Sequence, residues 1–125
     1  MIILGIDPGY AIVGFGILKY ENNRFTVLDF GAITTPAGMQ FPERLKSIYE
    51  DLSYLFNKYR PDAMAIEKLF FNTNKKTAVD VAQARGVILL AARMNGAQCF
   101  EYTPLQVKQS VVGYGKKKKK QVQEM

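Results

Sequence analysis

The sequence predicts an α/β domain with a mixed five-stranded sheet, in which an antiparallel meander is followed by helix–strand alternation, flanked by helices on both faces. Three apolar runs at the start of the chain are joined by connections too short for crossovers, so they form a meander. Two later apolar runs each follow a helical stretch, which is typical of parallel pairing. Since 125 residues suit one hydrophobic core and no linker is visible, we expect residues 1–125 to form a single domain.

The first half of the chain supplies the meander and a long amphipathic helix. Residues 1–6, 11–19 and 25–30 are predicted strands, and the segment between the last two has the composition of a hairpin turn. A helix is expected from Pro42, which suits a first turn, to Pro61. Its apolar residues recur with helical spacing, namely Leu45, Ile48, Tyr49, Leu52, Leu55, Phe56 and Tyr59.

The second half alternates strands and helices. Residues 63–66 form a predicted buried strand, and an Ala-rich helix over 75–95 ends before Gly96, a residue favoured in left-handed caps. Residues 98–102 are the fifth strand. A capping box with Pro at the first helical position predicts another helix over 103–112.

The composition excludes several classes of enzyme. Without His, there is no Ser-His-Asp triad, no Cys-His pair and no imidazole-ligated zinc. The single cysteine, Cys99, excludes an intramolecular disulfide and is expected to be a buried thiol. We find neither an apolar stretch of membrane-spanning length nor a secretory signal, so we expect a cytoplasmic protein with no membrane partner.

The charge lies unevenly along the chain. The net charge is +6, yet residues 1–74 hold 7 basic and 8 acidic side chains whereas residues 75–125 hold 10 and 3. Such asymmetry indicates a surface that faces a polyanion, most commonly a nucleic acid. The alternative is a solubilising tail, because five of these charges form one run at 116–120.

Two carboxylates follow short buried strands. Asp7 comes after the first strand and Glu67 after the fourth. If these strands are parallel neighbours, both carboxylates reach the same edge of the sheet. Adjacent carboxylates repel each other unless a cation lies between them, and hard cations such as Mg²⁺, or Mn²⁺ as its substitute, prefer oxygen ligands. The alternative is that each acid only caps a turn.

Aromatic and basic residues follow these strands. Phe70 and Phe71 come directly after the strand of Glu67, where they can stack on bases or wedge a duplex open; burial in the core is the alternative. Lys108 and the lysine run 116–120 can hold phosphates and offset charge in phosphoryl transfer, or form a solvated face.

Six short segments, in order and at matching spacing, resemble the RuvC family of Holliday junction resolvases. They are Ile6-Asp7-Pro8-Gly9, Ala65-Ile66-Glu67, Gln83-Ala84-Arg85-Gly86, Gln106-Val107-Lys108-Gln109, Val111-Val112-Gly113 and Gln121-Val122-Gln123. The resemblance implies an RNase H-like fold and a Mg²⁺-dependent homodimeric endonuclease. Such an enzyme resolves four-way junctions by symmetric nicking in DNA recombination and repair, with a branch-migration helicase complex as a partner.

The resemblance also implies roles for individual residues. Asp7 and Glu67 match metal ligands, and Phe70 matches a residue that stacks on bases near the junction centre. Lys108 and Lys119 match lysines needed for cleavage. Lys108 and the lysine run are the expected DNA-binding cations, the run being Lys116, Lys117, Lys118, Lys119 and Lys120.

The family has further acidic ligands in a last helix that this sequence does not contain. The chain stops at Met125 in what looks like a helix just beginning, so we expect a C-terminal helix to be missing. The prediction is that this chain binds DNA but cleaves it poorly or not at all.

Two other functions stay open. One is a non-catalytic junction-binding module. The other is an actin-like ATP-binding enzyme, suggested only by the strand–acid–glycine start and disfavoured because the chain is too short for two lobes; ATP binding without junction binding would favour it.

The Ala-rich helix is the candidate dimer interface, because small side chains let two helices approach closely. Alternatively, these residues pack the helix on its own sheet; they are Ala82, Ala84, Gly86, Ala91 and Ala92.

Overall fold

The computed structural model of the chain describes residues 1–9, 11–68 and 75–102, and the elements there follow the predicted order. The elements are the strands β1 (Ile2–Pro8), β2 (Ile12–Glu21), β3 (Arg24–Thr34), β4 (Ala63–Glu67) and β5 (Gln98–Tyr102), and the helices α1 (Phe41–Tyr59) and α2 (Lys75–Met94). The predicted helix over 103–112 lies outside the described residues.

The five strands form one mixed sheet, as predicted. Its order is β3-β2-β1-β4-β5, so β1 is the central strand. The meander β1–β2–β3 pairs antiparallel, whereas β4 pairs parallel with β1 and with β5. The β2–β3 hairpin turns through Asn22 and Asn23, both with positive φ (54° and 60°), and asparagine tolerates this conformation better than most residues.

One hydrophobic core lies between the sheet and the two helices. Leu4, Ile17 and Met64 are fully buried and lie side by side on neighbouring strands, so they share one face of the sheet. Leu52 of α1 and Ile88 of α2 belong to the same buried cluster. Both helices therefore cover the same face. Within the described residues no helix covers the opposite face, so the predicted helix cover of that face stays a prediction.

The strands extend further than the apolar runs suggested. β1 continues through Asp7 and Pro8, which pair with Gly14 and Val13 of β2. Asp7 keeps an antiparallel partner for its backbone, and Pro8 is tolerated because it is the last residue of β1, beyond the end of the ladder with β4.

Two expectations about small residues differ from the structure. Cys99 is exposed rather than buried, because it lies on the edge strand β5. In α2, Ala84, Ala91 and Ala92 are buried in the core, so these three pack the helix on its own sheet.

Candidate active site

The sheet brings the two predicted carboxylates to neighbouring positions. In the parallel ladder between β1 and β4, Ile6 is the partner of Ile66. Asp7 and Glu67 are the next residues of their strands, so they lie beside each other at the carboxyl edge. Asp7 is exposed and Glu67 is half-buried. The convergence predicted from the two apolar runs is therefore present.

The two carboxylates lie on the face of the sheet opposite to α1 and α2. Ile6 and Ile66 are buried in the core beneath the helices. Successive side chains of a strand alternate between faces, so Asp7 and Glu67 lie on the other face. The core thus fixes the two strands, while their acids stay accessible from the opposite side.

Glycines shape the surroundings of Asp7. Gly14 is its antiparallel partner on β2, and a Cβ atom there would lie 3.7 Å from the Cβ of Asp7. Hydrogen in place of a side chain leaves room beside the carboxylate. Gly9 follows the strand, and a Cβ there would collide with the carbonyl oxygen of Ile12. The segment after Asp7 therefore needs glycine to approach β2.

Arg85 of α2 connects the helix to the strand that carries Glu67. Its Nε donates to the carbonyl oxygen of Glu67 (3.3 Å), and its Nη2 lies 2.9 Å from Oε1 of Glu101 on β5. The hydrogen bond and the charge of Arg85 hold the pKa of the Glu101 carboxyl below its ordinary value. One guanidinium thus ties α2 to β4 and β5.

Arg85 has no role in the sequence-based predictions, although it lies in one of the recognised segments. Its spacing from Ile88 and Ala92 places it on the buried stripe of α2, where both neighbours are fully buried. A charged residue at a buried helix position needs a polar partner, and this requirement could have indicated a role for Arg85 from the sequence alone. The identity of that partner depends on how α2 lies across the sheet.

The donors at this edge suit a hard divalent cation. Asp7 and Glu67 offer only carboxylate oxygens, and Gly14 leaves space beside one of them. Within residues 1–9, 11–68 and 75–102, no three His, Cys, Asp or Glu side chains are grouped to hold a metal. Mg²⁺ is compatible with such a set, because it is commonly bound by one or two protein carboxylates together with water and substrate phosphates.

The other predicted site residues lie outside the described part of the chain. These are Phe70, Lys108, Lys116, Lys117, Lys118, Lys119 and Lys120. In the described part, neither helix is long and apolar enough to span a membrane.

The sequence matches a known family over nearly its whole length. A family model described as Crossover junction endodeoxyribonuclease RuvC matches residues 3–125. The Crossover junction endodeoxyribonuclease RuvC of Alkaliphilus oremlandii (strain OhILAs) is 62% identical over 125 residues, which span all of this chain and 76% of the relative. The protein of the same name from Clostridioides difficile (strain 630) is 56% identical over 125 residues, 74% of its length.

Solved structures show the same architecture. Thermus thermophilus RuvC in complex with Holliday junction substrate superimposes with a TM-score of 0.81 at 30% identity, covering 90% of this chain and 72% of that one. The yeast mitochondrial Holliday junction resolvase Ydc2 gives a TM-score of 0.62 at 14% identity, covering 82% and 50%, a likeness of fold alone. The predicted RNase H-like α/β fold is confirmed.

Proposed function

Because the chain belongs to the RuvC family of crossover junction endodeoxyribonucleases, as its motifs predicted, we propose that it resolves Holliday junctions by metal-dependent symmetric nicking in DNA recombination and repair. The Thermus thermophilus relative solved with a Holliday junction substrate supports four-way junction DNA as the substrate. The structural observation that carries the proposal is the parallel register of β1 and β4, which sets Asp7 beside Glu67. Residues 1–125 would form a single nuclease domain, and weak or absent cleavage by this chain stays a prediction.

In this proposal Asp7 and Glu67 hold Mg²⁺, with Mn²⁺ as a substitute. Their oxygen-only donor set and adjacent positions support this assignment. When bound, the ion supplies Lewis-acid polarisation of the phosphate and neutralises charge in the in-line displacement. Asp7, being exposed, is the carboxylate that substrate reaches more easily, while Glu67 is anchored through its strand. Together the acids fix where the scissile phosphate is held.

Residues outside the described part complete the proposed site by family likeness. Phe70 would stack on bases, Lys108 and Lys119 would offset charge developing on the phosphate, and the whole lysine run 116–120 would bind the DNA backbone. The basic second half of the chain supports this distribution of roles.

We also propose a homodimer, assisted by a branch-migration helicase complex. A four-way junction presents two equivalent strands, and a two-fold pair of sites cuts both alike. α2 offers a face for this contact. Gly86 is exposed, and three apolar residues at helical spacing from it are exposed as well: Val79 (52%), Leu90 (55%) and Met94 (68%). We call Gly86 and these three residues the α2 stripe.

Replacing Asp7 tests the proposed site. Asp7→Asn removes a metal ligand but no phosphate contact, so Mn²⁺ binding and junction nicking should both weaken by more than the ~10- to 100-fold typical of losing an outer partner, with junction affinity retained. Mn²⁺ binding is measured from the electron paramagnetic resonance signal of the free ion, nicking with a labelled junction, and affinity by gel shift without divalent ions.

Asp51→Asn is the matched control, because Asp51 is an exposed acid on α1. Parent-like Mn²⁺ binding by Asp7→Asn would contradict the site. A parent chain that shifts junctions but neither nicks them nor binds Mn²⁺ would instead favour the non-catalytic binding module.

A further inference from the structure

Arg85 holds the strand of Glu67 from the side opposite to the carboxylate. Its Nε donates to the backbone oxygen of Glu67, and its helix covers the face where Ile66 is buried. The Glu67 carboxylate lies on the other face because side chains alternate along β4. The guanidinium therefore acts on Glu67 through the peptide rather than through the carboxylate.

The contact lies where the pairing of β4 with β1 ends. The ladder between β1 and β4 ends at the pair Ile6–Ile66. On the other side, Glu67 is the partner of Tyr102, and the Lys68 N–H donates to the Tyr102 carbonyl oxygen (2.6 Å). The last peptide of β4 is thus held by β5 and by Arg85 at the point where pairing with β1 has ended. A shift of this peptide would move Glu67 relative to Asp7.

Glu101 fixes the guanidinium that makes this contact. The Arg85 side chain is 13% exposed and that of Glu101 43%, and their ion pair is 2.9 Å long. Glu101 is the β5 partner of Ile66, so it lies on the helix-covered face with Arg85. The planar guanidinium uses Nη2 for Glu101 and Nε for the Glu67 carbonyl oxygen. A lysine ammonium lacks this fixed fork, so it cannot reproduce both contacts in the same geometry.

We propose that Arg85, oriented by Glu101, is a positioning residue that aligns Glu67 with Asp7 for binding of the divalent cation. The inference rests on the proposed function, in which Glu67 is a ligand. It predicts that Arg85 affects metal affinity without touching either metal or DNA. A purely structural Arg85 would affect the stability of the fold and leave metal affinity unchanged.

The test compares Mn²⁺ binding by the parent chain with that by R85K, E101Q and E67Q, again from the free-ion resonance signal. Arg85→Lys should raise the Mn²⁺ dissociation constant by about 10- to 100-fold, the usual effect of losing an outer partner of a ligand, with junction affinity unchanged. Glu101→Gln keeps the size of the side chain and should weaken binding less. Combining R85K with E67Q should give no loss beyond E67Q alone, because Arg85 acts through Glu67. Arg93→Lys, the same substitution in the last turn of α2, should bind Mn²⁺ like the parent.

The outcomes separate the inference from the proposed function. If E67Q weakens Mn²⁺ binding while a folded R85K binds like the parent, the positioning role is wrong and the ligand assignment stands. If E67Q binds like the parent, both are wrong. Should circular dichroism show R85K unfolded, E101Q decides: weaker Mn²⁺ binding with a native spectrum supports the inference, and parent-like binding overturns it. Lowered thermal stability with unchanged Mn²⁺ affinity also overturns it.

Discussion

Gly14 controls the space next to the Asp7 carboxylate. It is opposite Asp7 in the β1–β2 ladder, and its missing side chain would lie on the same face as the carboxylate. A Cβ atom at this position would lie at ordinary contact distance from the Cβ of Asp7, so a small side chain fits without displacing the backbone. Any branched side chain would occupy the room that the proposed cation and the substrate phosphate need.

Gly14→Val should reduce junction nicking and Mn²⁺ affinity by roughly 10- to 100-fold while the chain stays folded, because its γ-carbons enter the space beside Asp7. Valine suits a strand, so thermal unfolding should change little. Gly16→Val is the control: Gly16 is opposite Gly5, and a Cβ there meets nothing within 4 Å. Equal effects of the two substitutions on Mn²⁺ affinity would contradict the crowding argument.

At the residue scale, the sequence was sufficient to identify residues whose position depends on a single strand. Asp7 and Glu67 could be identified because each ends a short apolar run, and the parallel neighbours then followed from the order of elements. The contacts of Arg85 could not be identified. Its partners are Glu67, 18 positions earlier, and Glu101 in β5. Only the placement of α2 on the sheet brings these residues together.

At the scale of elements, the end of α1 is tied to the edge strand β3 by one hydrogen bond. The Tyr59 hydroxyl donates to Oδ2 of Asp29 (2.7 Å), and Lys58 lies over the Tyr59 ring at 5.2 Å. This bond is the first cause lowering the pKa of Asp29, to which the Phe30 N–H and the charge of Lys58 also contribute. The same bond, together with burial and the charge of Asp29, raises the pKa of Tyr59.

Tyr59→Phe should flatten the dependence of stability on pH at both ends. Because the folded state raises the Tyr59 pKa, this stabilisation is complete below the unfolded value of about 10 and is lost as pH rises through the folded value. The lowered Asp29 pKa gives stabilisation present above its unfolded value of about 3.9, lost as pH falls through the folded value. The measurement is the free energy of unfolding in urea across this pH range.

The variant should be less stable than the parent near neutral pH, and the two curves should converge towards acid and alkaline conditions. Tyr54→Phe is the control, since Tyr54 is an exposed tyrosine of the same helix that also contacts Lys58. A constant difference between parent and Tyr59→Phe across the whole range would contradict the linkage.

Elements were predicted best where local signals agreed. α1 begins one residue before Pro42 and ends two residues before Pro61, because prolines and an apolar stripe mark the same segment. β3 runs to Thr34, beyond its predicted end, although its later residues are mostly exposed. The length of β3 is determined by its pairing with β2, and it cannot be predicted from the hydrophobic pattern of β3 alone.

At the scale of the whole molecule, α2 packs on the sheet and, in the proposed homodimer, also contacts the partner; its sequence does not separate the two faces. Its small residues Ala84, Ala91 and Ala92 are buried in the core, so they are not available for contact with a partner. The α2 stripe contains instead larger apolar residues around Gly86, on the side away from the core. An Ala-rich helix gives no periodic contrast between these faces, and only burial distinguishes them.

Leu90→Glu should weaken the proposed homodimer by roughly 1,000-fold, because a well-buried interface side chain contributes about 2 kcal/mol and two-fold symmetry doubles this to about 4 kcal/mol. Sedimentation equilibrium over a range of concentrations measures the dissociation constant. Tyr54→Glu is the matched control, because Tyr54 is a large exposed residue of the other helix, 62% exposed against 55% for Leu90.

If the dimer forms through the α2 stripe, only Leu90→Glu dissociates it. A junction cut by that variant should then show single rather than paired nicks at concentrations where the parent cuts both strands. Unchanged dimerisation of Leu90→Glu would exclude the α2 stripe, whereas dissociation by both substitutions would indicate a general effect of added negative charge.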